Sequence, residues 1–206
     1  MFWLALAAQL SMPNMDQGPV WTLFSSDDLP MDIVTDGESR SVNVRLEVKP
    51  DGAIQNCRAE LSSGITKLDA YTCAIILRRA RFHPATGLDG LPAYGVVRTT
   101  VTWAVNATPL NLSADLELTV TGLPKGVKDP AFVNLMFAVD EAGRPSSCAM
   151  EVPRAPTHQK LTSELIQVAC SQLLKNYVAI PSTDIAGRTV RSVQDATVRF
   201  STDRPR

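Results

Sequence analysis

Val44-Arg-Leu-Glu-Val-Lys-Pro-Asp-Gly-Ala-Ile-Gln-Asn-Cys57 decides the fold of this chain, because its landmarks return later at the same spacing. Gly52 stands five residues before Cys57, and Gly143 stands five before Cys148. Pro84 and Gly90 follow Cys73 by eleven and seventeen residues; Pro181 and Gly187 follow Cys170 by the same distances. Trp103 lies thirteen beyond Gly90, and Phe200 thirteen beyond Gly187. Fixed spacing in divergent sequence points to one supersecondary unit present twice.

Each copy has the same local pattern. Val42, Val44, Leu46 and Val48 alternate as in a strand, and Asp51-Gly52 is a hairpin turn signal. Cys57, Ala59 and Leu61 then share one face of a second strand, and Ser62-Ser63-Gly64 breaks it. From about Leu68 to Arg81, the residues Cys73, Ile76, Leu77 and Ala80 form the apolar stripe of a helix. Pro84 stops that helix. The last strand alternates Val96, Arg98, Thr100 and Thr102 with Val97, Thr99, Val101 and Trp103.

In the second copy Val133, Leu135 and Phe137 alternate, and Asp140-Glu-Ala-Gly143 turns. Cys170, Leu173, Leu174 and Tyr177 form the helix stripe, and Val193 to Phe200 is the final strand. The expected class is α+β: two small units of strand-strand-helix-strand, each an antiparallel sheet with a helix on one face. Their limits are 36–105 and 114–203, with 106–113 as a linker and 16–35 as a loosely ordered segment. Leu116, Leu118 and Val120 suggest an additional short strand.

Four cysteines allow three pairings. The duplication favours Cys57 with Cys73 and Cys148 with Cys170, each joining a sheet to a helix; buried free thiols are the alternative. The spacings do not suit a zinc site or a C-x-x-C redox site. Disulfides imply an oxidising compartment. Residues 1–15, opening Met1-Phe-Trp-Leu-Ala-Leu-Ala-Ala-Gln-Leu10, resemble a signal-peptide apolar region, although no Lys or Arg precedes it. That run is short of the ~20 residues a spanning helix needs, so a periplasmic or secreted location is expected.

The charge balance excludes a nucleic-acid binder: net charge is −1 over 206 residues, and neither half is strongly basic. No cofactor or metal site is expected. His83 and His158 occupy unrelated positions in the two copies. Ser62 and Ser63 lack a histidine base at a predictable spacing and read as a loop or cap. Arg78, Arg79 and Arg81 read as cations at a helix end, or as a grip for a carboxylate or phosphate. Asp51 and Asp140 are turn residues. Trp103 and Phe200 are expected under the helices, with a peptide-facing role as the alternative. An enzyme would need a polar catalytic pocket that the sequence does not signal.

Taken together, Val44–Gly52, Ser62-Ser-Gly64, Leu68-Asp-Ala70, Arg79-Ala-Arg-Phe-His-Pro-Ala85 and Asp89-Gly90 resemble a TonB carboxy-terminal domain. The likeness covers roughly 36–105; the second copy keeps only Gly143, Leu165, Pro181 and Gly187 of the pattern. The resemblance implies a non-enzymatic periplasmic domain, linked to TonB-dependent transport, that binds short segments of outer-membrane transporters by adding its last strand to the peptide. By position that edge is Val96–Val105, with Val96, Arg98, Thr100 and Thr102 as its alternate side chains. Energy transducers of the family carry an inner-membrane helix and a Pro-rich spacer before a single domain, a pattern this chain does not show. The alternative function is structural, with edge strands mediating domain packing or homo-oligomer formation.

Overall fold

A computed structural model of the chain describes residues 10–30, 32, 39–104, 114–151 and 161–203. The fold is mixed α+β, mostly strands with two helices packed on sheet. It divides into two compact units: Pro13–Ala85 with Pro92–Leu112, and Met1–Met12 and Thr86–Leu91 with Ser113–Arg206. Residues 1–9 of the expected leader, the 106–113 linker and His158 lie outside the described residues.

The first unit runs β1 (Asn14–Met15), β2 (Ser39–Val48), β3 (Ile54–Leu61), α1 (Thr66–Arg79), β4 (Phe82–His83), the edge of β5 (Ala85–Thr86) and β6 (Pro92–Ala104). Taken by itself, its main sheet is ordered β3-β2-β6, all antiparallel. β2 pairs β6 over ten consecutive residues, from Ser39↔Ala104 to Val48↔Gly95, without a register shift. β3 is less regular, with shifts beside Asn43/Val44 and Glu47/Val48. Bulges of that kind twist an outer strand and blunt its edge.

The alternation of β2 sends Val42, Val44, Leu46 and Val48 to the helix side, where all four are fully buried. They meet Leu68, Ile75 and Ile76 of α1 and Trp103 of β6. The buried helical stripe is Leu68, Thr72, Cys73, Ile75 and Ile76, whereas Leu77, expected inside, is 46% exposed. Each residue turns the helix by about 100°, so a face centred on Ile75 and Ile76 turns Leu77 away from it. Thr72 earns its buried place through hydrogen bonds: its hydroxyl donates to the Leu68 carbonyl at 2.8 Å and accepts from Trp103 Nε1 at 2.8 Å. Thr72→Val keeps the volume but strands the indole N–H, and is expected to cost about 1–3 kcal/mol in urea unfolding.

Residues 16–30, expected to be loosely ordered, are part of this core. Val20–Leu23 and Ser26–Asp28 form short 3-10 turns, and Val20 and Leu23 are buried. Phe24 meets Trp103 edge to face, ring centroids 5.3 Å apart. The residues before it are also fixed, since β1 pairs β4 through Asn14↔His83 and Met15↔Phe82.

The second unit contains β7 (Leu116–Val120), β8 (Ala131–Val139), β9 (Pro145–Met150), α2 (Ser163–Asn176), β10 (Ser182–Thr183), β11 (Thr189–Val190) and β12 (Ser192–Thr202). β8 pairs β12 and β9 antiparallel, and β7 pairs β12 in parallel. Val133, Leu135, Phe137, Val198 and Phe200 are buried beneath Leu165, Ala169 and Leu173 of α2. Here again one residue of the expected stripe, Leu174, is 38% exposed. It stands at the same repeat position as Leu77. The disulfides link Cys57 to Cys73 and Cys148 to Cys170, so each joins an outer strand to its helix. Among the described residues no helix is long and apolar enough to cross a membrane.

Candidate functional site

Val96, Arg98, Thr100 and Thr102 lie on the face of β6 turned away from α1. They sit opposite Glu47, Arg45, Asn43 and Ser41 of β2. Side chains tie the two strands together: Ser41 and Thr102 share a hydroxyl hydrogen bond of 2.9 Å, and Asn43 Nδ2 donates to Thr100 Oγ1 at 3.5 Å. The row is covered. Val96 is fully buried and the other three are half-buried. Arg45, in the middle of the same face, is 3% exposed and lies 3.7 Å from Glu60 and 3.8 Å from Glu47. Desolvation pulls its pKa down, opposed by Glu60. Beside this row, Arg45 of β2 is thus partnered as a buried charge must be.

The remaining polar residues sort by geometry. Ser62 Oγ and Ser63 Oγ both donate to the Asp69 carboxylate, at 2.5 and 2.7 Å, and the Ser63 N–H adds a third bond at 2.9 Å. Asp69 thereby closes the Ser-Ser-Gly loop onto the start of α1. Desolvation pushes its pKa up, but these bonds prevail and hold it below the usual carboxylate value. Neither serine is placed as a nucleophile. Exposed His83 pairs with Asp16 at 2.6 Å. Among the described residues no group of three or more His, Cys, Asp or Glu gathers as a metal site.

Of the three arginines at the helix end, Arg79 does grip a carboxylate, and it belongs to the chain. Its Nη1 and Nη2 donate to Asp28 Oδ2 and Oδ1 at 2.5 and 2.7 Å, and Nη1 also donates to the Leu23 carbonyl. Arg81 turns back onto the Ala80 carbonyl at 2.7 Å, at the negative end of the helix. The Arg79 bonds, helped by the Ser25 N–H, hold Asp28 well below the usual carboxylate range. A carboxylate with a depressed folded pKa stabilises fully above its unfolded value, near 3.8, and loses that contribution as pH falls through the folded value. Acid unfolding of the wild type below about pH 4 should therefore be steeper than that of Asp28→Asn, compared by circular dichroism.

This latch holds one wall of a groove at the carboxy-terminal end of β6. Trp21, Phe24 and Leu29 come from the 3-10 segment, and Val101, Thr102 and Trp103 from the strand, around a volume of about 350 Å³. Trp21 is 66% exposed. Nothing in the alternation of the strands indicates this groove. Its only trace in sequence is the apolar run Val20-Trp-Thr-Leu-Phe24 ahead of Ser25-Ser-Asp-Asp28. A second, more polar cavity of about 540 Å³ lies by Lys128, Asp129, Thr202 and Asp203 in the other unit.

No family model matches the chain, and comparisons with curated proteins and with solved structures found no match.

Proposed function

We propose that the protein is a non-enzymatic, TonB-carboxy-terminal-like protein of the Gram-negative periplasm that binds extended segments of envelope proteins, such as outer-membrane transporters, by strand addition. Each unit is taken as one copy of a strand-strand-helix-strand module, the second diverged. The observation that carries this reading is the contrast between two strands of the first unit. β6 keeps an unbroken ten-residue register with β2, while β3 is bulged. Regular pairing on one side keeps β6 straight, which addition of a strand on its other side would require. The oxidising compartment is supported by the two disulfides.

A second reading, assembly through the same strand, is favoured by the complete burial of Val96 and the half-buried Arg98, Thr100 and Thr102. Titration of the isotope-labelled chain with transporter amino-terminal peptides separates the two. Strand addition predicts saturable amide shifts running along Val96–Ala104 in a monomer. A tight oligomer by light scattering, with no shifts in that strand, would favour assembly and dismiss strand addition.

A further inference from the structure

We propose that the second unit binds one internal water molecule where β10 meets the start of β12, held between Ser182 Oγ and Gln194 Oε1. The site is independent of the peptide-binding reading and adds to it.

This corner is polar and shut off from solvent. Ser182, Ser192 and Gln194 are 1%, 2% and 1% exposed. Ser192 and Gln194 stand opposite Val139 and Phe137 of β8, on the face that Ala196, Val198 and Phe200 continue through the core. The β10–β11 ladder brings Ser182 there by pairing it with Val190, two residues before Ser192. Gln194 is fixed through its nitrogen: Nε2 donates to the Ile180 carbonyl at 2.8 Å and to Ser192 Oγ at 3.0 Å. Turning the amide over would set Oε1 against that carbonyl, so the oxygen must point the other way.

Two groups are left over. Gln194 Oε1 and Ser182 Oγ are both buried without a hydrogen-bond partner. They are complementary, since a hydroxyl can donate and an amide oxygen only accepts, yet no direct bond joins them. Native proteins rarely leave buried polar atoms unpaired. One water satisfies both, accepting from the Ser182 hydroxyl and donating to Gln194 Oε1. Ser192 Oγ is the third polar group of the corner, and a buried water typically has about three such neighbours. All three side chains are neutral, which suits a neutral guest.

The repeat shows why the first unit needs no such guest. Ala85, Gly95 and Val97 stand at the positions that Ser182, Ser192 and Gln194 hold in the second copy. There Pro13 packs so closely that a Cβ on Gly95 would lie 2.3 Å from Pro13 Cγ and 2.9 Å from Ala85 Cβ. One copy closes the corner with a proline ring, the other with hydrogen bonds.

A high-resolution crystal structure of the full chain should show one water within about 2.7–3.2 Å of both Ser182 Oγ and Gln194 Oε1. Oxygen-17 relaxation dispersion counts long-lived waters in solution. Ser182→Ala with Gln194→Val, which copies the first unit, should lose one of them. A direct bond from Ser182 to Gln194, either atom bonded instead to another protein group, or a corner without water density would overturn the proposal. An unchanged count in the folded double variant would do the same; should that variant not fold, the wild-type crystal structure decides.

Discussion

Gly52→Ala should destabilise the first unit by about 3 kcal/mol. Gly52 closes the β2–β3 turn at φ +81°, and a Cβ there would stand 2.0 Å from the Phe82 carbonyl oxygen, a backbone atom. Left-handed backbone costs a non-glycine residue about 1–2 kcal/mol, and the clash adds to it. Two other glycines grade the prediction. Gly143, at φ +78°, would place its Cβ 2.9 Å from Pro181 Cγ, a side-chain atom with some room to shift. Gly143→Ala should therefore cost about 2 kcal/mol. Gly187, at φ +77°, has nothing within 4 Å, so its substitution carries backbone strain alone, about 1 kcal/mol. Urea unfolding of the three variants should rank them in that order. Equal effects would mean that the turn of the first unit does not abut Phe82.

Removing one clamp is the second large effect. Cys57→Ala with Cys73→Ala frees a loop closed over 16 positions, and the corresponding pair in the second unit frees one closed over 22. On the chain-entropy estimate each loss is about 3 kcal/mol, with the longer loop slightly ahead. For a unit of this size that is roughly a 10–20 °C fall in melting temperature. Calorimetry of each double variant should show one transition lowered and the other in place. A fall of a degree or two would mean that the strand and helix are held by packing alone.

The glycine series also explains why the repeat was legible. In both copies the turn glycine approaches the segment after the helix: Gly52 meets Phe82 and Pro84, and Gly143 meets Pro181. The spacing fits that geometry, since the turn glycine lies against the segment after the helix while the two cysteines between them are bonded to each other. Strand alternation was equally readable, since Val42 to Val48 and Val133 to Val139 each turn one apolar face to the core. Each helix stripe was read correctly except at one position, Leu77 in the first and Leu174 in the second. Ile75, Ile76 and Leu77 are consecutive apolar residues that do not choose a face by themselves. The residue that marks the true face, Thr72, is polar because it receives the Trp103 N–H.

The candidate site was less legible. The order of residues 16–30 depends on a carboxylate and a guanidinium 51 positions apart in the chain, and on 3-10 turns too short to show a period. Trp21 and the groove were invisible for that reason. Alternation placed Val96, Arg98, Thr100 and Thr102 on one face of β6, but it is silent on what covers that face. Arg45 is buried there against Glu47 of its own strand and Glu60 of β3, a pairing that alternation does not indicate.

The central claim is that each unit is a sheet fastened covalently to its own helix in an oxidising compartment. Mass spectrometry of non-reduced proteolytic peptides from natively isolated protein tests it most directly. The account predicts two linked species, Cys57 with Cys73 and Cys148 with Cys170. Links running from one pair to the other, or four reduced thiols, would contradict it.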